Sequence, residues 1–185
     1  MGGIEIAAAL LGVINVLLVV RRSVWNYPFG IAMVSLYFFV FWDAKLYSDA
    51  LLQIFFLLIQ IYGWWAWVRS PQVDHGVAVG WMGISARVKW AIGTAVMILL
   101  WGTGMARFTD AAAPYADATI AGLSVAAQIL QSLRKVESWL FWIAVDALAV
   151  GLFLWRGLNV TAGLYGLFFV LAVVGLAEWK RKAKV

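Results

Sequence analysis

The chain has no cysteine. That excludes a disulfide framework, a thiolate metal site and a cysteine nucleophile. Charge is scarce too: 12% of residues are Asp, Glu, Lys or Arg, against about a quarter in an ordinary soluble domain. There is a single histidine, His75, which follows Asp74 in the polar stretch 70–85. It is expected to be a solvated loop residue and not a base or a ligand. The start, Met1-Gly2-Gly3-Ile4-Glu5, lacks a basic leader region and a small-residue cleavage site. The first apolar stretch is therefore expected to be a retained span.

Apolar surface is present in excess, at 65% of 185 residues. A chain this short cannot hide that much in a water-soluble core. Lipid must be the solvent for much of it, and the expectation is an all-α integral membrane protein. The net charge of +5 would suit a nucleic-acid partner in a soluble protein. Here no nucleic acid is expected, because the placement of the charges matters more than their sum.

A helix needs about 20 apolar residues to cross a bilayer. Seven stretches qualify: 4–20, 24–42, 46–68, 88–106, 117–133, 138–155 and 159–179. They fill one membrane domain, 1–185, and leave only short loops. The basic residues divide unequally between the two sides. One side has Lys45, Arg107 and Arg156. The other has Arg21, Arg22, Arg69, Arg87, Lys89, Arg134, Lys135, Lys180, Arg181, Lys182 and Lys184. Short cytoplasmic loops carry the excess of Lys and Arg. The N-terminus is thus expected outside and the C-terminus in the cytoplasm, where the tail Lys180 to Lys184 would meet anionic lipid. Trp25, Trp42, Trp64, Trp65, Trp67, Trp90, Trp155 and Trp179 mark span ends. Most are read as interfacial anchors.

Two segments resemble each other at a shift of 112 residues. Leu46 meets Leu158, Ala50 meets Ala162, Leu52 meets Leu164, Phe56 meets Phe168, Gly63 meets Gly175 and Trp67 meets Trp179. Span three then pairs with span seven, and both run the same way. This predicts a 3+1+3 plan: a first repeat at about 4–68, a linking helix at about 88–106 and a second repeat at about 117–179. Parallel repeats holding a substrate between them are a known transporter plan.

Asp146 is the one acid near the middle of a span. An acid there costs about 2.5–3.5 kcal/mol on insertion and is a functional candidate by default. Trp139 and Trp142 precede it at spacings of three and four, which places all three on one helix face. Two indoles and a carboxylate suit a flat, cationic, heteroaromatic ligand, held by stacking, cation–π attraction and charge. The alternatives are a structural hydrogen bond for Asp146 and an interfacial anchor for Trp139. Gln53 and Gln60 share a face of span three, and Gln128 lies on span five one turn after Ser124. Asn26 and Tyr27 precede Pro28, and Tyr165 matches Gln53 in the repeat. Each of these is either a ligand contact or a tie between helices. Asn15 reads as structural. Gly102-Thr103-Gly104 is no phosphate loop, since no strand precedes it and no Lys follows. No cofactor or metal is expected.

Asn26-Tyr27-x-Phe29-Gly30, Leu51-Leu52-Gln53 leading to Tyr62-Gly63-Trp64-x-x-Trp67, and Glu137-x-Trp139-x-x-Trp142 with a polar residue at 146 resemble the PnuC family of vitamin-precursor transporters over nearly the whole chain. The resemblance implies a SWEET-like bundle of seven transmembrane helices in the plasma (inner) membrane, assembled as a homotrimer. It implies facilitated diffusion of nicotinamide riboside without ATP or an ion gradient, with uptake driven by a cytoplasmic kinase. It carries binding roles onto Trp139, Trp142 and Gln53. Asp146 departs from the asparagine usual in members that resemble nicotinamide riboside carriers, which leaves thiamine or another vitamin precursor open. Two further classes stand against this reading. An intramembrane enzyme would need a base, nucleophile or metal cluster that the spans do not offer. An accessory subunit would reveal itself by a stoichiometric partner.

Overall fold

The computed structural model describes residues 3–43, 47–109, 113–155 and 157–183. Lys45, Leu46, Asp110, Arg156 and Lys184 lie outside the described residues, as does the side chain of Asp49. Seven helices follow in order: α1 (Gly3–Val20), α2 (Asn26–Asp43), α3 (Tyr47–Val68), α4 (Ile84–Phe108), α5 (Pro114–Ser132), α6 (Ser138–Trp155) and α7 (Asn159–Lys182). Each expected span is met by a helix, and α4 starts a turn earlier than expected. Five of them, α1, α3, α4, α6 and α7, are long and apolar enough to cross a membrane. The composition of the other two explains their absence from that set. α2 opens on Asn26-Tyr27-Pro28 and ends on Asp43, while α5 carries Asp117, Ser124, Gln128 and Gln131.

The helices close a ring. α1 packs on α2, α2 on α3, α3 on α5, α5 on α6, α6 on α7, and α7 returns to α1. α4 stands outside this ring against α5. Its buried strip is narrow, with Thr94 and Gly102 at the contact, and Val88, Ile92, Val96, Leu99, Leu100, Trp101 and Phe108 are bare.

One end of the ring gathers the turns after α1 and α5. Both helices end in the same way. The N–H of Arg22 bonds to the carbonyl of Val19 and that of Ser23 to Leu18; the N–H of Arg134 bonds to Gln131 and that of Lys135 to Leu130. Arg22 and Arg134 hold φ of 57° and 59°. This is the Schellman closure, normally made by glycine. A side chain in that conformation costs about 1–2 kcal/mol. Here the side chains have work to do. The guanidinium of Arg22 donates to the carbonyls of Val73 (3.1 Å), Val77 (3.2 Å) and Asp74 (3.2 Å). Arg134 donates to the hydroxyl of Ser70.

These partners belong to a strap, residues 70–83, laid across the end of the ring. It contains a hairpin, β1 (Gln72–Val73) and β2 (Gly76–Val77), absent from the sequence reading. Asp74 and His75 both have positive φ, as a tight two-residue hairpin turn demands. His75 is exposed, as expected. The strap touches both halves of the ring. Val77 N–H donates to the Arg22 carbonyl (3.1 Å), Gly80 N–H to the Arg134 carbonyl (3.2 Å), and Val136 N–H to the Gly80 carbonyl (3.1 Å). Glu137 Oε1 accepts from Met82 N (2.9 Å) and from Arg87 Nε (2.7 Å). Lys182 Nζ donates to Asp74 at 3.0 Å, and this contact holds the exposed Asp74 carboxyl below the usual carboxylate range.

Trp67 and Trp179 are corrections to the anchor reading. Both are fully buried in one aromatic cluster with Tyr27 and Trp139. Trp67 Nε1 donates to the Ser132 carbonyl (3.2 Å) and Trp179 Nε1 to the Val19 carbonyl (3.0 Å). Each indole therefore finds its polar partner inside the bundle instead of at a headgroup. Tyr27 meets Trp67 edge-on at 5.2 Å, and Trp139 meets Trp179 edge-on at 5.5 Å. Glycine makes the room: a Cβ on Gly63 would lie 2.5 Å from the Tyr27 hydroxyl, and one on Gly175 would lie 2.5 Å from the Trp139 ring. Trp25, Trp42, Trp65 and Trp155 are more than half exposed and fit the anchor role.

Candidate functional site

The site grows from α6. Its first turn is set by Glu137, whose carboxylate is tied to the strap and to Arg87. Trp139, Trp142 and Asp146 then rise along one face of the helix. Their surroundings differ. Trp139 is 2% exposed, spends its ring on Gly175 and Trp179, and leaves Nε1 without a hydrogen-bond partner. Trp142, one turn on, is half-buried and donates from Nε1 to Gln131 Oε1 at 2.8 Å. Asp146 is 4% exposed, yet no hydrogen bond or ion pair joins it to another described residue. Its carboxylate oxygens are not among the sealed, unpartnered polar atoms and so keep some accessible surface.

α5 lies antiparallel beside α6. The Gln131–Trp142 bond sets the register between them. One turn further along each helix, Gln128 and Asp146 come to the same depth. Gln128 is 5% exposed, and its Nε2 has no partner. A buried amide donor without an acceptor is costly unless a ligand or water completes it. Ser124, one turn beyond, satisfies itself on the Ile120 carbonyl (2.8 Å). The α5–α6 face thus offers a carboxylate, an indole and an amide donor at neighbouring depths. That set can neutralise a cation, stack a flat ring and donate to an oxygen.

The other candidates are placed apart from this face. Asn26 is 1% exposed at the start of α2, where its Nδ2 donates to the Ser23 carbonyl (2.7 Å) and its own carbonyl accepts from Asn15 Nδ2 (2.8 Å). It works as a tie at the basic end, and Asn15 is structural as expected. Gln53 is half-buried on α3, a helix that packs chiefly on α2 and α5. Tyr165 on α7 packs against Phe153 (5.2 Å) and Phe168 (6.0 Å), about two turns beyond Asp146 along α6. Gln60 is 3% exposed with Oε1 unpartnered. Two apolar depressions, about 290 and 590 Å3, run along α4. Neither is lined by any of the seven candidates Trp139, Trp142, Asp146, Gln53, Gln128, Asn26 and Tyr165.

Sequence reasoning missed Gln131. Its only signal was its place one turn after Gln128, near a helix end where a polar residue is ordinary. Arg22 and Arg134 were counted as charges, with no sign that they hold a strap.

The sequence profile of the nicotinamide mononucleotide transporter family matches residues 2–181. The nicotinamide riboside transporter PnuC of Escherichia coli is 27% identical, covering 98% of this chain and 86% of its own length. The riboflavin/roseoflavin transporter RibM of Streptomyces davaonensis is 27% identical, covering 95% and 83%. Among solved structures, the crystal structure of the Vitamin B3 transporter PnuC matches with a TM-score of 0.80 at 24% identity, covering 96% of this chain and 80% of that chain. That likeness establishes the fold.

Proposed function

The chain belongs to the nicotinamide mononucleotide transporter family of multi-pass membrane proteins, and from that membership we propose that it carries nicotinamide riboside across the plasma (inner) membrane by facilitated diffusion. The observation that carries the reading is Asp146: a buried carboxylate with no partner among the described residues, one turn from the indole of Trp142. A polar group inside a span is expected to face a partner or a cavity. Nicotinamide riboside supplies what is missing, a flat ring with a fixed positive charge. In this reading Asp146 meets the charge, Trp142 stacks the ring and Gln128 donates to a substrate oxygen. Gln53 and Tyr165 line the path further along, and Trp139 and Asn26 brace it from the basic end. Calorimetry on the purified protein against nicotinamide riboside, thiamine, riboflavin and deoxynucleosides tests this. Binding confined to the neutral compounds would overturn it.

Thiamine is the second reading. Its support is the same carboxylate at a position where carriers of nicotinamide riboside usually have asparagine, since thiamine also has a cationic ring. Riboflavin, which RibM is named for, is uncharged and suits an unpaired carboxylate poorly.

The bundle is read as seven transmembrane helices in a SWEET-like 3+1+3 arrangement. The packing of the ring supports this. Replacing α1, α2 and α3 by α5, α6 and α7 returns the same set of neighbours. The Arg22 and Arg134 turns, Tyr27 and Trp139, Gly63 and Gly175, and Trp67 and Trp179 all correspond at a shift of 112. α4 is then the linker, and its bare apolar flank suits it to contacts between protomers of a homotrimer. The basic end with the strap is read as cytoplasmic, which leaves the N-terminus outside. Phosphorylation of the entered substrate by a cytoplasmic kinase would hold it inside.

A further inference from the structure

We propose that the basic end of the bundle is a gate built in two halves, and that Trp67 and Trp179 bolt it shut. The inference rests on the reading of Trp142, Gln128 and Asp146 as the substrate site. It does not depend on which compound is carried.

Four aromatic side chains fill this end of the bundle: Tyr27, Trp67, Trp139 and Trp179, none more than 2% exposed. Tyr27 and Trp139 lie in the first turns of α2 and α6, and Trp67 and Trp179 in the last turns of α3 and α7. Trp142 stands one turn deeper than Trp139, so the cluster lies between the site and the basic end. The strap covers it from outside, bonded to the carbonyl of Arg22 in one half of the bundle and to that of Arg134 in the other. A substrate leaving by this end must part these side chains.

The cluster divides where the bundle divides. Tyr27 and Trp67 belong to the half made of α1, α2 and α3, and meet edge-on at 5.2 Å. Trp139 and Trp179 belong to the half made of α5, α6 and α7, and meet edge-on at 5.5 Å. Each pair is fixed to one helix. Tyr27 sits against Gly63, one turn before Trp67 on α3, and Trp139 sits against Gly175, one turn before Trp179 on α7. The pairs touch through Trp67 and Trp179, at 5.9 Å. Each pair can therefore travel with its own half, and separating the halves breaks that one contact while both edge-on pairs stay whole.

The bolts cross the seams. The halves meet chiefly where α3 packs on α5 and α7 on α1. At the first seam Trp67 Nε1 donates to the Ser132 carbonyl (3.2 Å), and at the second Trp179 Nε1 donates to the Val19 carbonyl (3.0 Å). Both acceptors lie in the last turn of a helix, where carbonyls have no partner further along the helix. Once the end opens, water can replace the indole at each carbonyl, so the bonds can be broken and remade at small cost.

The test uses the absence of cysteine from the chain. Ser124→Cys places a reporter thiol on α5, one turn beyond Gln128 and on the far side of the cluster. In a separate protein, His75→Cys marks which membrane face carries the exposed strap hairpin. A membrane-impermeant thiol reagent is applied to right-side-out and to inverted vesicles, without substrate. Each Trp→Phe change keeps a ring and removes one hydrogen bond. From the strap face, Trp67→Phe or Trp179→Phe alone is expected to speed labelling of Ser124→Cys about fivefold, and the two together about twenty-fivefold. Labelling from the other face is expected not to rise. An equal rise from both faces would be general loosening and would overturn the gate, as would unchanged rates beside a lowered unfolding temperature. A reporter thiol that stays unlabelled in every variant would overturn it too. If the double variant does not fold, the single variants decide, and faster labelling in only one of them, or in neither, would overturn the paired bolts. Vesicles that pass the labelling test yet take up neither nicotinamide riboside nor thiamine would sink the substrate reading and leave the gate standing.

Discussion

Trp142 donates its indole N–H to the side-chain oxygen of Gln131 across the seam between α5 and α6, at 2.8 Å. Gln131 is itself 6% exposed, so the acceptor end of this part-buried bond is shielded. The indole is the half-buried face of the α6 stripe, and Gln131 decides its angle.

Replacing Gln131 by Met keeps the volume and removes the acceptor. The loss of one hydrogen bond, about 1 kcal/mol, is expected to weaken binding of nicotinamide riboside about fivefold. Gln131→Glu keeps an acceptor and is expected to restore most of the affinity. Calorimetry on the three proteins, paired with thermal unfolding without ligand, separates positioning from simple destabilisation. Equal affinities with a lowered unfolding temperature would make Gln131 structural only.

Gly175→Ala is expected to destabilise the bundle by about 1–3 kcal/mol, since the new methyl meets the Trp139 ring at 2.5 Å and a packed core resists added volume. Gly63→Ala should behave alike against Tyr27. Thermal unfolding in detergent reads both. A Trp139→Phe change in the Gly175→Ala background is expected to recover part of the loss, as residues in contact are not additive.

The strap offers a cleaner substitution than most, because glycine is the natural occupant of the Arg22 turn. Arg22→Gly preserves the closure of α1 and removes the donors to Val73, Asp74 and Val77. Amide exchange of the strap is expected to speed up by about tenfold while α1 is unchanged. Faster exchange throughout α1 would show that the arginine holds the helix and not the strap.

Asp74 sets the pH response of the same strap. Its carboxyl is held below the usual range by the hydrogen bond from Lys182, with the charges of Lys182, Arg22 and His75 adding to it. A depressed carboxylate contributes stability that is present above its unfolded value and lost as pH falls through its folded value. Acidification below the ordinary carboxylate range is therefore expected to free Lys182 from the strap. The Arg22 bonds go to backbone carbonyls, which do not titrate, so the hairpin should persist. Exchange of the Val77 amide across that pH range, corrected for its intrinsic rate, checks this. Asp74→Asn should abolish any change.

The seven helices were legible because solvation in lipid is a local demand. A span must satisfy its own backbone and present about 20 apolar residues, so length and hydropathy mark α1, α3, α4, α6 and α7 directly, while the more polar α2 and α5 stand out only as shorter apolar runs between turns. Asp146 was legible for the same reason: an acid in an apolar run stands out in one dimension. Gln131 did not, since a polar residue near a helix end is ordinary until its partner on another helix is known. Trp67 and Trp179 misled because an aromatic at a span end has the same sequence context whether it turns outward to the headgroups or inward to a carbonyl on a distant turn.

The amino-acid sequence by itself determined the solvent, the number and extent of the helices, the uneven division of basic charge and the stripe of two indoles and an acid on α6. All of these follow from composition and from the 3.6-residue period within single segments. The tertiary structure decided the rest: the closed ring with α4 outside it, the burial of Trp67 and Trp179, the strap held by Arg22 and Arg134, and the pairing of Trp142 with Gln131. Periodicity says which way a side chain points from its own helix. Only the packing of one helix on another says what it meets there.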